Sequence, residues 1–229
     1  SLSGGGKENA IPKEAKAVVS VRSCDATTFE QSIKESAAVW MQEISATEPH
    51  AKIELEKTDI AADKVLDSKS TANVIYALWL SPDGVYRMSQ EIKGMVQTSL
   101  NLGTAYIDAD KLVYKYLIRS NTVAGKKLLL ERVTTFVKHL SGKVVTMSDY
   151  PAWEYKSDSQ LRKICVDSFT NVYGHEPEVT SIHAGLECGI LAGKMPGVDM
   201  ISFGPTLESV HTPDECMDAA SVERTWEYL

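Results

Sequence analysis

Residues 96–107 and 111–119 are two extended runs separated only by Asp108-Ala109-Asp110, and together they read as one long β-hairpin. An antiparallel pair of that length has a broad face that packed helices must keep from water, so the fold has to be built around it. Helical patterns lie close by on both sides. Upstream, residues 16–22 (KAVVSVR) are apolar and β-branched, and Pro12 disfavours helix just before them, which predicts a strand starting near Glu14. Thr27-Thr28-Phe29-Glu30 has capping-box spacing, and Phe29, Ile33, Ala37, Trp40 and Ile44 recur every three or four residues, predicting a helix to Ser45. KIELEK at 52–57 alternates with period two, as a strand with one wet side would. A helix over 70–80 is stopped by Ser81-Pro82-Asp83-Gly84. Beyond the hairpin, Thr122 caps a helix with Leu129, Val133, Phe136 and Leu140 on one face; Gly142 ends it, and 143–147 predicts a further strand. Residues 7–149 therefore predict an α+β domain, helices on one face of an antiparallel sheet.

After Tyr150-Pro151 the pattern changes. A helix (159–173), a strand (178–183), a short helix (186–192), a strand (199–203) and a last helix (213–228) alternate in the α/β manner. Two strands cannot make a parallel sheet domain on their own, so residues 150–229 read as an incomplete α/β segment whose missing strands come from outside it, most simply from upstream of Ser1. The opening Ser1-Leu2-Ser3-Gly4-Gly5-Gly6 is poor core material, and a start in a glycine run reads as a cut from something longer.

The chain has 229 residues, 43 % of them hydrophobic, enough for one large or two small cores. Its formal net charge of -7, with a pI near 5.3, argues against nucleic acid or an anionic membrane as partner, since both need a clustered positive surface. Cys24, Cys165, Cys188 and Cys216 form no CxxC, which fits a reducing cytoplasm better than a disulfide framework. No apolar run is long enough to span a bilayer.

Chemistry concentrates in two places. SFGPTLESVHTPDE at 202–215 is a strand end, a Gly-Pro loop and then Thr212 and Glu215 at capping-box spacing, with Pro213 at the first helical position and His211 just before the cap. IHAGLECG at 182–189 is a second strand end running into a helix start. Ligands in open α/β sheets gather at the carboxyl ends of strands, so parallel strands would bring His183 and His211 to one edge. Imidazole is the commonest nitrogen ligand for zinc, yet the chain offers no HxD, HExxH or Glu-Glu pair, and on spacing alone His211 reads first as a loop or cap residue.

The runs NAIPKEA (9–15), TSLNLG (98–103), LIRS (117–120), IHAGLECG (182–189) and FGPT (203–206) followed by HTPDE (211–215) together resemble the aminoacyl-histidine dipeptidases, carnosinase-related members of the di-zinc peptidases, in the family's order and over nearly the whole chain. The resemblance implies a lid and dimerisation domain at 7–149, inserted into a zinc-binding catalytic domain whose closing segment is 150–229. Carried over by position, His211 is the last ligand of a site holding two zinc ions, the loop around Gly185 lines the substrate pocket with His183 and Glu187, and Asn9 and Arg119 reach from the lid toward the dipeptide. Plainer readings stand beside these: Asn9 as a turn residue, Arg119 paired with a surface carboxylate, His183 and Glu187 as helix-start residues. The family's HxD segment, bridging aspartate, general-base glutamate and adjoining ligand are absent, so no catalytic residue is assigned within the chain. His50, His139 and His175 receive no role. The expected activity is hydrolysis of small unblocked dipeptides including Xaa-His, by a cytoplasmic homodimer joined through the lid, with this chain alone inactive; the alternative is a non-catalytic dimerisation or peptide-binding module.

Overall fold

The expected hairpin is the spine of the structure. In a computed structural model that describes residues 1–229 apart from 59–61, 63, 182–186 and 211, β4 (Val96–Asp108) pairs antiparallel with β5 (Lys111–Ser120) along its length. They are joined by a two-residue loop in which Ala109 takes a φ of 52°. The other edge of β4 is shared. β3 (Gly84–Met88) pairs with residues 96–100, and β1 (Leu2–Gly4) pairs with Ala105 and Tyr106 and carries β2 (Ala15–Ala17) outside it. Between β1 and β3 the backbone N–H of Leu102 has no strand beside it and donates instead to the Asp83 carboxylate at 2.7 Å, which spares a ladder donor from going unpaired.

One face of this sheet carries the core. α3 (Val123–His139) lays Leu129 and Val133 against Leu100, with Tyr86, Tyr116, Ile118 and Val137 packed around them. The helix starts as its sequence dictates, the Thr122 side chain accepting from Gly125 N at 3.2 Å. Its end differs from expectation: the helix stops at His139, and the left-handed residue is Ser141 (φ 59°), not Gly142. α2 (Ser68–Leu80) lies alongside, its Tyr76 ring 6.2 Å from that of His139, and Ser81 at its end shares a 2.6 Å hydrogen bond with the half-buried Tyr116 hydroxyl. Burial pushes the Tyr116 phenol up to about 12, so it stays a neutral partner at physiological pH. α1 (Ala26–Ile44) begins without a side-chain cap; the Thr27–Glu30 box is not made, and an intrahelical Lys34–Glu30 ion pair uses that glutamate instead.

Several expected strands do not form. The first is shorter than predicted, β2 alone. Residues 52–57 and 143–147 are irregular, with Val145 and Met147 79 % and 77 % exposed. In the second half the described residues 178–181 and all of 199–203 are likewise not in strands, so no parallel sheet exists among the described residues. The physical reason is common to all: an alternating or apolar run becomes a strand only where a neighbour takes up its N–H and C=O groups. What does form there is α4 (Gln160–Tyr173), α5 (Glu187–Lys194) and α6 (Ala219–Tyr228), with a two-residue ladder between β6 (Leu207–Glu208) and β7 (Cys216–Met217). α6 starts six residues later than the Pro213 of the sequence reading, because Asp218 caps it, accepting from Ala220 N at 2.9 Å, while Thr212 closes a local turn with Ser209 and Asp214. Phe169 of α4, Tyr228 of α6 and Phe203 form a ladder of edge-on rings at 5.4 and 5.0 Å.

Three aspartates hold helix starts in this fold. The Ser70 N–H holds the Asp67 carboxyl below its usual range, the Leu161 N–H and then the Ser159 hydroxyl do so for Asp199, and the Arg224 guanidinium and then the Ala220 N–H for Asp218. A depressed folded-state pKa stabilises the fold above the unfolded value and is lost as pH falls through the lower folded value. Helical circular dichroism should therefore hold down to about pH 4 and fall below it. The triple Asp→Asn variant, which keeps the capping oxygens without the titration, should flatten that fall; an unchanged acid limb would show that these caps do not set it.

Candidate functional site

Two of the sequence-derived candidates, Arg119 and Glu187, line one open groove of ≈2620 Å³ that runs beside β5, past α3 and on to α4 and α5. Arg119, near the end of β5 and opposite Ser99, lines it, as does Glu187, the first residue of α5. The helix start favours the Glu187 carboxylate at that position. At this size the groove is a trough several times larger than a dipeptide requires. Asn9 is exposed in a turn and does not line the trough, although its neighbour Glu8 does. His183, Gly185 and His211 lie outside the described residues.

The two halves of the chain meet along this trough through polar contacts. Lys126, on the first turns of α3, donates to the Asp149 carboxylate at 2.6 Å and to the Tyr150 carbonyl, and Val123 N donates to Glu154 Oε1 at 3.0 Å. α5 approaches the same connector so closely that a Cβ on Gly189 would sit 2.8 Å from the Pro151 carbonyl oxygen. Beneath the start of α3, Thr98 and Ser120 share a 2.9 Å hydrogen bond, and Ser120 also accepts from Thr122 N.

Two residues that seat the Asn9 turn lie in the TSLNLG run but were given no role by sequence reasoning. Asn101 donates from Nδ2 to the carbonyl oxygens of Glu8 (2.8 Å) and Ala10 (2.9 Å), so one amide nitrogen grips the turn on either side of Asn9. Gly103 is the bulge residue of β4, where the ladder to β5 skips from Leu102–Tyr116 to Thr104–Lys115, and a Cβ there would lie 2.4 Å from both the Lys7 carbonyl oxygen and Glu8 Cα. A glycine inside a strand was the available signal, since it marks a bulge or a close backbone approach. An asparagine two residues earlier gave no comparable one.

Among the described residues no group of three or more His, Cys, Asp or Glu converges in a way that would hold a metal ion. The described residues therefore do not by themselves fit a zinc centre.

The profile of the peptidase family M20/M25/M40 matches residues 8–229. The chain belongs to that family. The M20 chain is 31 % identical over 229 residues, its whole length, to the cytosol non-specific dipeptidase of Escherichia coli strain K12, and spans 47 % of that protein. Its fold matches the crystal structure of aminoacylhistidine dipeptidase from Vibrio alginolyticus with a TM-score of 0.88 and 31 % identity, over 99 % of this chain and 46 % of that one. The M20 chain thus spans about half the length of the relatives it matches, and the aminoacyl-histidine dipeptidase resemblance read from its motifs holds across all of it. No helix among its described residues is long and apolar enough to cross a membrane.

Proposed function

We propose that this chain forms the lid (7–149) and the closing segment of the catalytic domain (150–229) of a zinc-dependent dipeptidase that hydrolyses small unblocked dipeptides, Xaa-His among them. The observation that carries the reading is the agreement in both sequence and fold with two dipeptidases over essentially the entire chain. In this proposal the protein is a cytoplasmic homodimer joined through the lid, and the chain alone is inactive.

The roles of its own residues follow from their chemistry. Arg119 presents a planar fork of N–H donors matched to a carboxylate, which suits the free carboxy terminus of a dipeptide. Asn9 offers an amide that can orient the scissile carbonyl or donate to the oxyanion that develops from it. Glu187, with His183 and Gly185, belongs to the wall that receives the substrate, and His211 to the metal ligands.

The test is hydrolysis of alanyl-histidine by the natural full-length protein, before and after chelation and with zinc restored, beside the same protein carrying His211→Ala. Turnover that requires the metal and falls at least about a hundredfold in the variant is the expected result. An absence of turnover with any added divalent metal would move the reading to a peptide-binding or dimerisation module.

A further inference from the structure

The sheet sets Arg119 and the residue that holds the Asn9 turn on one face. Period two along the hairpin puts Leu100 and Ile118 on the face covered by α3, and therefore Ser99 and Asn101 of β4, with Leu117 and Arg119 of β5, on the opposite face. Asn101 stands opposite Leu117, which makes Arg119 its diagonal neighbour, roughly 7–8 Å away along the sheet. Asn101 also grips the carbonyls of Glu8 and Ala10, the residues on either side of Asn9. The bulge at Gly103 leaves the space into which Lys7 and Glu8 descend.

We infer that Asn101 is the positioning residue of the lid: its amide fixes the Asn9 turn over the β4–β5 face so that Asn9 and Arg119 address one dipeptide from a common register. The inference rests on the dipeptidase reading for its functional half. Its structural half rests on the two hydrogen bonds. A neutral amide is needed because both partners are acceptors and a single nitrogen must donate twice. Aspartate has nearly the same shape but would set a carboxylate oxygen against two carbonyl oxygens. It therefore removes the clamp while keeping the packing.

In the full-length protein, Asn101→Asp should lower kcat for alanyl-histidine roughly tenfold to a hundredfold while leaving KM within about twofold, since a misplaced donor costs orientation rather than ground-state binding. If Asn101 acts through Asn9, the double variant with Asn9→Ala should be no slower than Asn9→Ala alone. Effects that multiply, an unchanged kcat in Asn101→Asp, or an Asn9→Ala variant as fast as the unsubstituted protein would each overturn the inference. Amide exchange in the same protein gives a readout independent of activity. The Ala10 N–H, bonded to Lys7 O at 3.3 Å, should exchange faster in Asn101→Asp while the amides of α3 do not change. Unaltered exchange at Ala10 would rule out the clamp. A protein that turns over no dipeptide but shows the exchange effect would retain the clamp and lose the dipeptidase reading, so the two failures are separable.

Discussion

Leu129→Ala is expected to lower folding stability by roughly 2–5 kcal/mol, the cost of emptying a fully enclosed leucine site whose walls relax only in part. Leu129 is 1 % exposed and sits at the centre of the contact between α3 and the sheet, against Leu100 and Val133. The cost is large in relative terms because the buried apolar set is small. Among the described residues only Ala77, Leu100, Leu129 and Val133 reach full burial as hydrophobic side chains. A domain with a total stability of about 5–15 kcal/mol can lose a third of it at this one position. The check is urea unfolding followed by circular dichroism. A midpoint equal to that of the unsubstituted chain would show that α3 is held to the sheet by something other than this contact.

Gly103→Ala should cost roughly 1–3 kcal/mol by overpacking, and its effect should be local as well as global. The atoms that a new Cβ would meet, Lys7 O and Glu8 Cα and C at 2.4–2.6 Å, are backbone and cannot swing aside as a side chain would. Either β4 or the turn over it must move, and β4 is held by strands along both edges. Limited trypsin digestion should accordingly cut after Lys7 faster in the variant, read by intact mass. Gly204→Ala, where nothing lies within 4 Å of the added carbon, is the matched control and should change neither stability nor cleavage. Equal digestion of Gly103→Ala and the control would mean that the turn is not seated on the bulge.

The fold was legible where the pattern and its partner lie close together in the sequence. The hairpin of β4 and β5 needs only a two-residue loop to find its neighbour, α3 announces itself by Thr122, which caps as read, and α4 falls where its pattern put it, with Ser159 as the cap. Residues 52–57, 143–147 and 199–203 carry strand-like patterns, yet pattern records only which side chains prefer burial, whereas a strand also requires a second strand to bond. β3 was missed for the converse reason: GVYRM has no clear alternation, and its pairing with β4 contains two register shifts that break any simple period. Of the site, Arg119 and Glu187 were found through family motifs and do line one trough, while Asn9 stands outside it. Asn101 stands in the TSLNLG run, yet its role was not legible, because its bonds reach across more than ninety residues to main-chain atoms and no local spacing encodes that.

The acceptors that Asn101 holds are main-chain oxygens. Every residue type supplies such an oxygen, so the clamp places no demand on the side chains at positions 8 and 10. Those two positions are therefore open to drift, and a lineage could exchange Glu8 for a basic or apolar residue, altering the charge beside Asn9, without disturbing where Asn9 stands. Geometry and local chemistry are thereby inherited separately, which leaves room for the charge around Asn9 to diverge while the turn keeps its place.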